Sequence, residues 1–305
     1  MAAMLPLRSG AVMEELGLAI SAYTAMRGAA AAAAAAPAPE AEKRTAAQPS
    51  QPTKASPSTS PSASPSASPA DGKLRVLCLH GYVQNGEVFR QKTGSVRKVM
   101  KGCEFEFIDA PHSAVGAFPD SAAADFDAAG VATEGVGPRG WWHAGENAKR
   151  EAGQEWVRPA MAQVCDGWEA SLEHARSEIA ALGRFDGVFA FSQGCAVATA
   201  LLREAREGGF EPLADARFAI LVGGFLPREE KVASMMRGSG APLALHTLHV
   251  TGTADTFVPR PRSEELAELF DGGRGAWLEH QGRHGVPTGT GAFRDALRKL
   301  LGDVR

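Results

Sequence analysis

A chain of 305 residues with 32 basic and 35 acidic side chains carries a formal net charge of −3. That near balance offers no basis for a nucleic acid or an anionic membrane surface as partner, and no apolar run approaches the length of a membrane span. Eight histidines and the cysteines at 78, 103, 165 and 195 show no metal-ligand spacing; no metal or cofactor is expected, and the cysteines read as reduced, buried thiols of an intracellular protein.

Residues 1–72 differ from the rest. Ala29 to Ala36 is an unbroken alanine run, and Thr45 to Ala70 is mostly Ser, Pro, Ala and Thr, with Pro57, Pro61, Pro65 and Pro69 at a four-residue period. Such a composition cannot bury enough apolar surface to offset chain entropy, so a disordered segment is expected. Within it, Val12 to Met26 carries Leu16, Leu18, Ile20 and Tyr23 and reads as a short helix. Arg8 and Arg27 in Ala-rich surroundings suit an organelle-targeting peptide, whereas Glu14 and Glu15 count against one. A cytoplasmic protein is therefore expected, with an organelle as the alternative.

Residues 73–305 make one domain large enough for a substantial core. Strand signals run over Leu74–Leu79, Glu104–Asp109, Gly187–Phe191, Phe218–Val222, Leu245–Val250 and Ala276–His280. Helical signals alternate with them over Gly86–Met100, Glu155–Leu182, Gln193–Arg206, Arg228–Met236, Ser263–Phe270 and Ala292–Leu301. This alternation predicts an α/β fold with a mostly parallel, doubly wound sheet and helices on both faces. The connection from Ala110 to Asn147 is long, rich in Gly, Ala and acidic residues, and holds Trp141 and Trp142; its length predicts a flap over the site.

The chemistry gathers where strands end. The buried run Gly187 to Phe191 meets Ser192, and Gln193, Gly194 and Cys195 open a helix. A serine on such a strand–turn–helix stands clear of its own backbone, beside free helix N–H groups. The usual pattern is Gly-x-Ser-x-Gly, and here Ala190 replaces the first glycine. Asp255 lies in the Gly-containing turn after the fifth strand, and His284 in a loop after the sixth. Ser192, Asp255 and His284 thus follow the chain order of α/β-hydrolases, with the imidazole to take the serine proton and the carboxylate to orient it. The first strand ends in His80-Gly81-Tyr82, which assigns the oxyanion hole to the backbone amides of Tyr82 and Gln193. Asp186 and Asp271 read as turn residues, and His80 as structural.

Leu77-Cys78-Leu79-His80-Gly81-Tyr82, Phe89-Arg90-x-Lys92-Thr93-Gly94, Trp141-Trp142, Phe185-Asp186-Gly187, Phe191-Ser192-Gln193-Gly194, Gly224-Phe225 and His284-x-Val286-Pro287 occur in one order. From about Lys73 onward the chain resembles the serine hydrolase family of the α/β-hydrolase superfamily that includes the human ovarian-cancer-associated protein 2 and its fungal relatives. The resemblance implies an esterase acting through an acyl-enzyme on a small-molecule, lipophilic acyl ester, with Ser192 as nucleophile, Asp255 as acid and His284 as base. The chain departs at Ala190, and at Arg283, where relatives often carry a second glycine. Trp142, Phe225, Phe257 and Val286 are the expected apolar contacts of the acyl chain. A thioesterase and a non-catalytic hydrolase-like binding protein are the alternatives, and nothing in the sequence sets the oligomeric state.

Overall fold

A computed structural model describes residues 72–115, 135–148, 150–151, 154–287 and 291–305. The expected disordered segment, up to residue 71, and the middle of the long connection, 116–134, lie outside the described residues. Among the described residues ten strands follow in chain order: β1 (Leu74–Leu79), β2 (Cys103–Ile108), β3 (His112–Ser113), β4 (Arg139–Gly140), β5 (His143–Ala144), β6 (Cys165–Asp166), β7 (Gly187–Phe191), β8 (Phe218–Val222), β9 (His246–Gly252) and β10 (Gly275–His280). Six of them form one sheet in the order β10-β9-β8-β7-β1-β2, and every pairing in it is parallel. The chain runs outward from β1 to β2, then resumes on the other side of β1 with β7. The strand order reverses between β1 and β7, and the crevice beyond their carboxyl ends is where such sheets place their ligands.

Period-2 alternation sorts the side chains of the central strands to two cores. Leu77, Leu79, Val188, Ala190, Ala219 and Leu221 face one layer, which includes Leu172 and Ile179, Leu201 and Leu202, and Val232. These come from the helices Trp168–Leu182, Gln193–Arg206 and Glu230–Arg237. Val76, Cys78, Phe189, Phe191, Ile220, Val222 and Val250 face the other, against Phe89 and Val96 and against Leu297 and Leu301 of the helix Gly291–Val304. Both faces of the sheet are covered, which is why its central strands β7 and β8 read as continuous apolar runs. Among the described residues no helix is long and apolar enough to cross a membrane.

Two expectations are corrected. The helix expected over Gly86–Met100 is two, Gly86–Lys92 and Gly94–Val99, which part at Thr93, where the backbone leaves helical geometry at φ −94, ψ 13; the Thr93 hydroxyl donates to the Phe89 carbonyl at 2.7 Å alongside the Thr93 amide. The helix expected over Glu155–Leu182 begins at Trp168, after Gly167 at φ +93. Tertiary pairing claims the stretch before it: Asn147 exchanges two hydrogen bonds with Val157, and the Glu146 carboxylate accepts from the Gln163 amide. The described ends of the long connection are stitched down, while the middle of the expected flap lies outside the described residues. They pair as β3 with β4 and β5 with β6, and Trp141 and Trp142 are fully buried.

Candidate active site

The turn after β7 is built for close approach. Ser192 sits at φ 53, ψ −120, a strained backbone for any residue but glycine. It is over-determined from both sides: its amide donates to the Val222 carbonyl at 2.9 Å, and its carbonyl accepts from the Cys195 amide at 3.0 Å. A Cβ on Gly194 would collide with the Leu79 and His80 carbonyls, so glycine there lets the helix start directly against β1. Ala190 is fully buried, level with Leu79 and Leu221 on the neighbouring strands, and its methyl group packs in the core rather than crowding the serine.

Three side chains from three strand ends meet here. His284 Nε2 lies 2.8 Å from Ser192 Oγ, and His284 Nδ1 lies 2.7 Å from Asp255 Oδ2. The other carboxylate oxygen accepts from the Phe257 and Val258 amides, each at 2.9 Å. The histidine and aspartate side chains are 6% and 2% exposed, which keeps water from competing for these bonds. With Nδ1–H donated to the carboxylate, Nε2 is free to accept the serine proton. Asp186 and Asp271 lie elsewhere: the first accepts from the Arg75 amide and from Arg217, the second from the Gly273 amide of its own turn.

Glycines set the loop spacing. A Cβ on Gly252 would strike the Gly282 and Arg283 carbonyls, and these two loops are further joined by Thr253 N–H to the His280 carbonyl at 2.8 Å. Gly223, at φ +55, lies directly against the His284 ring. The imidazole packs against Phe191, 4.8 Å away between centroids, and Phe257, 5.8 Å away.

The turn carrying Tyr82 abuts the serine. A Cβ on Gly81 would fall 3.1 Å from Ser192 Cβ. The turn is closed by Gln84 N–H to the Gly81 carbonyl at 3.3 Å and contains Val83 at φ +61, an unusual backbone for a β-branched residue. His80 ties it to β2: Nε2 accepts from the Ala110 amide at 3.0 Å, while Nδ1 lies 2.7 Å from the Gly81 carbonyl. Burial holds this imidazole neutral, its pKa lowered to about 4. Gln193 contributes more than its backbone. Its side chain accepts from the Trp141 amide at 3.0 Å and donates to the Trp142 carbonyl at 2.8 Å, while Trp141 Nε1 donates to the His80 carbonyl at 2.8 Å. The described end of the long connection is thereby bolted onto both turns that flank the serine.

The expected acyl contacts fall into two groups. Trp142 and Phe225 pack edge-on at 5.9 Å in the core beneath the Gln193 turn. Phe257 and the partly buried Val286 accompany His284. Cys195, three residues after Ser192, is buried, and burial pushes its thiol well above the usual range, leaving it an inert neighbour.

A family model described as Serine hydrolase (FSH1) matches residues 70–295. The chain belongs to this family of serine hydrolases. Curated relatives named Esterase OVCA2 include those of Danio rerio, 34% identical over 74% of this chain and 97% of the relative, and of Homo sapiens, 37% identical over 76% and 97%. A solved Bacillus cereus carboxylesterase is 16% identical over 77% of this chain and 91% of its own, with a TM-score of 0.47.

In this member of the serine hydrolase family, three features at the site escaped the sequence reading. The Gln193 side chain as a bolt and Phe191 as a wall of the imidazole carry no local signal, because their partners lie far away in the chain. Gly223 had one: a Gly-Gly pair directly after a buried strand marks a backbone needing positive φ or close approach.

Proposed function

We propose that this serine hydrolase is an esterase that works through an acyl-enzyme, with Ser192 as nucleophile, His284 as general base and then acid, and Asp255 as the residue orienting the imidazole. The observation that carries the reading is the continuous hydrogen-bonded chain Ser192–His284–Asp255, at 2.8 and 2.7 Å, ending on a strained serine. A serine hydroxyl is a weak nucleophile near neutral pH; proton transfer to His284 as the Oγ–carbonyl bond forms makes attack feasible. The oxyanion that develops is held by the amides of Tyr82 and Gln193, in turns already fixed before substrate arrives, so little reorganisation is needed. Collapse expels the alcohol with the proton from His284; water, deprotonated by the same imidazole, then releases the acid.

Lipophilic acyl esters are the substrate class we assign, with Trp142, Phe225, Phe257 and Val286 as the acyl contacts. Support comes from the aromatic rings of Phe191 and Phe257 against the imidazole and the Trp142–Phe225 pair, and from the esterase names of the relatives. The test is fluorophosphonate labelling followed by hydrolysis of p-nitrophenyl esters of increasing chain length. Ser192→Ala is expected to lose both labelling and turnover, the latter by on the order of a millionfold. Labelling that persists in Ser192→Ala rejects the nucleophile.

A further inference from the structure

His284 packs against two aromatic rings, Phe191 and Phe257, and the Arg158 guanidinium lies over the Phe257 ring, its Cζ 5.3 Å from the ring centroid. Arg158 Nη1 also donates to the Thr256 carbonyl at 2.6 Å. Thr256 stands between Asp255, which holds His284, and Phe257, which stacks on it. A single side chain therefore grips both the backbone of the acid turn and the aromatic wall of the imidazole. Arg158 is itself anchored. The next two residues, Pro159 and Ala160, are buried, and Arg262 Nη2, which also bonds the Leu226 carbonyl, lies 3.4 Å from the Ala160 carbonyl.

We propose that Arg158 is a positioning residue for the base: it fixes the Asp255–Val258 turn and presses Phe257 against His284. The proposal rests on reading Ser192, His284 and Asp255 as the reactive set.

The full chain carrying Arg158→Met or Arg158→Lys is assayed for kcat and KM on a neutral p-nitrophenyl ester, with thermal melts alongside. Arg158→Met is expected to lose about tenfold in kcat with KM nearly unchanged, through misalignment of the imidazole. Arg158→Lys recovers kcat only in part, because an ammonium lacks the planar fork. Wild-type kcat in Arg158→Met overturns the proposal. Should Arg158→Met not fold, Arg158→Lys decides: reduced kcat with an unchanged KM and melt supports the role, and wild-type kcat overturns it. Full turnover in Ser192→Ala would instead overturn the reading underneath, whereas loss there with a normal Arg158→Met enzyme rejects the role of Arg158 alone.

Discussion

Gly223→Ala is expected to push the imidazole out of line without touching any of the three reactive side chains. Gly223 leaves β8 at φ +55, and its amide donates to the Val250 carbonyl at 2.8 Å, so the backbone cannot readily retreat. A Cβ built there falls 2.8 Å from His284 Cε1 and 3.0 Å from Nδ1. Comfortable contact needs about 3.5 Å or more, so the ring must withdraw by roughly half an ångström to one ångström. That withdrawal acts on both nitrogens at once and loosens the bonds at 2.7 and 2.8 Å. A misplacement near 1 Å costs on the order of a hundredfold in rate. Positive φ adds about 1–2 kcal/mol of backbone strain for alanine, which for a domain of this size lowers the melting temperature by about 2–8 °C. The assay is hydrolysis of a p-nitrophenyl ester at saturation together with a thermal melt. Wild-type kcat with an unchanged melt would refute the reasoning, because it would show that the ring's position is not set by the space over Gly223.

Asp255→Asn should lose about ten-thousandfold in turnover, as an amide favours the wrong imidazole tautomer, while Asp186→Asn and Asp271→Asn keep most of theirs; near-normal turnover in Asp255→Asn would require another acid. Stability should fall as pH drops from 6.5 toward 4. Burial lowers His80 and His249 to about 4 in the folded protein, so the unfolded chain takes up protons first and the contribution present above 6.5 is lost on acidification, by up to about 3 kcal/mol for each. His249→Phe, which preserves the stack on Trp277 at 5.9 Å, should flatten part of that slope in urea titrations at several pH values, and an unchanged slope would dismiss the assignment. Each further buried methylene of an acyl chain should improve kcat/KM about three- to fourfold until the pocket is filled, and Trp142→Ala should flatten that profile with acetate affected least; equal kcat/KM for acetyl and decanoyl esters in the wild type would eliminate an acyl pocket.

Much of the architecture was legible because it rests on local chemistry. The buried runs of β7 and β8, and of β1 from Val76 onward, are apolar on both faces, and that pattern predicts a parallel sheet sandwiched by helices. The strand ends were legible too: a serine between a buried strand and Gly194, a carboxylate in a Gly turn, and a histidine in a glycine-bracketed loop. The helix expected through Glu155–Leu182 failed for the opposite reason. Its local pattern was helical, but Asn147, Glu146 and Glu229 claim its backbone amides from elsewhere in the fold, and local propensity is too weak to resist several such bonds. The same holds at the site. Sequence order can propose that Ser192, Asp255 and His284 cooperate. Only the tertiary structure decides that His284 is walled by Phe191 and Phe257, that Gln193 is bolted to Trp141 and Trp142, and that Arg158 clamps the acid turn from 98 residues away. Those contacts join residues distant in the chain, and no periodicity or spacing encodes which distant side chains a fold will bring together.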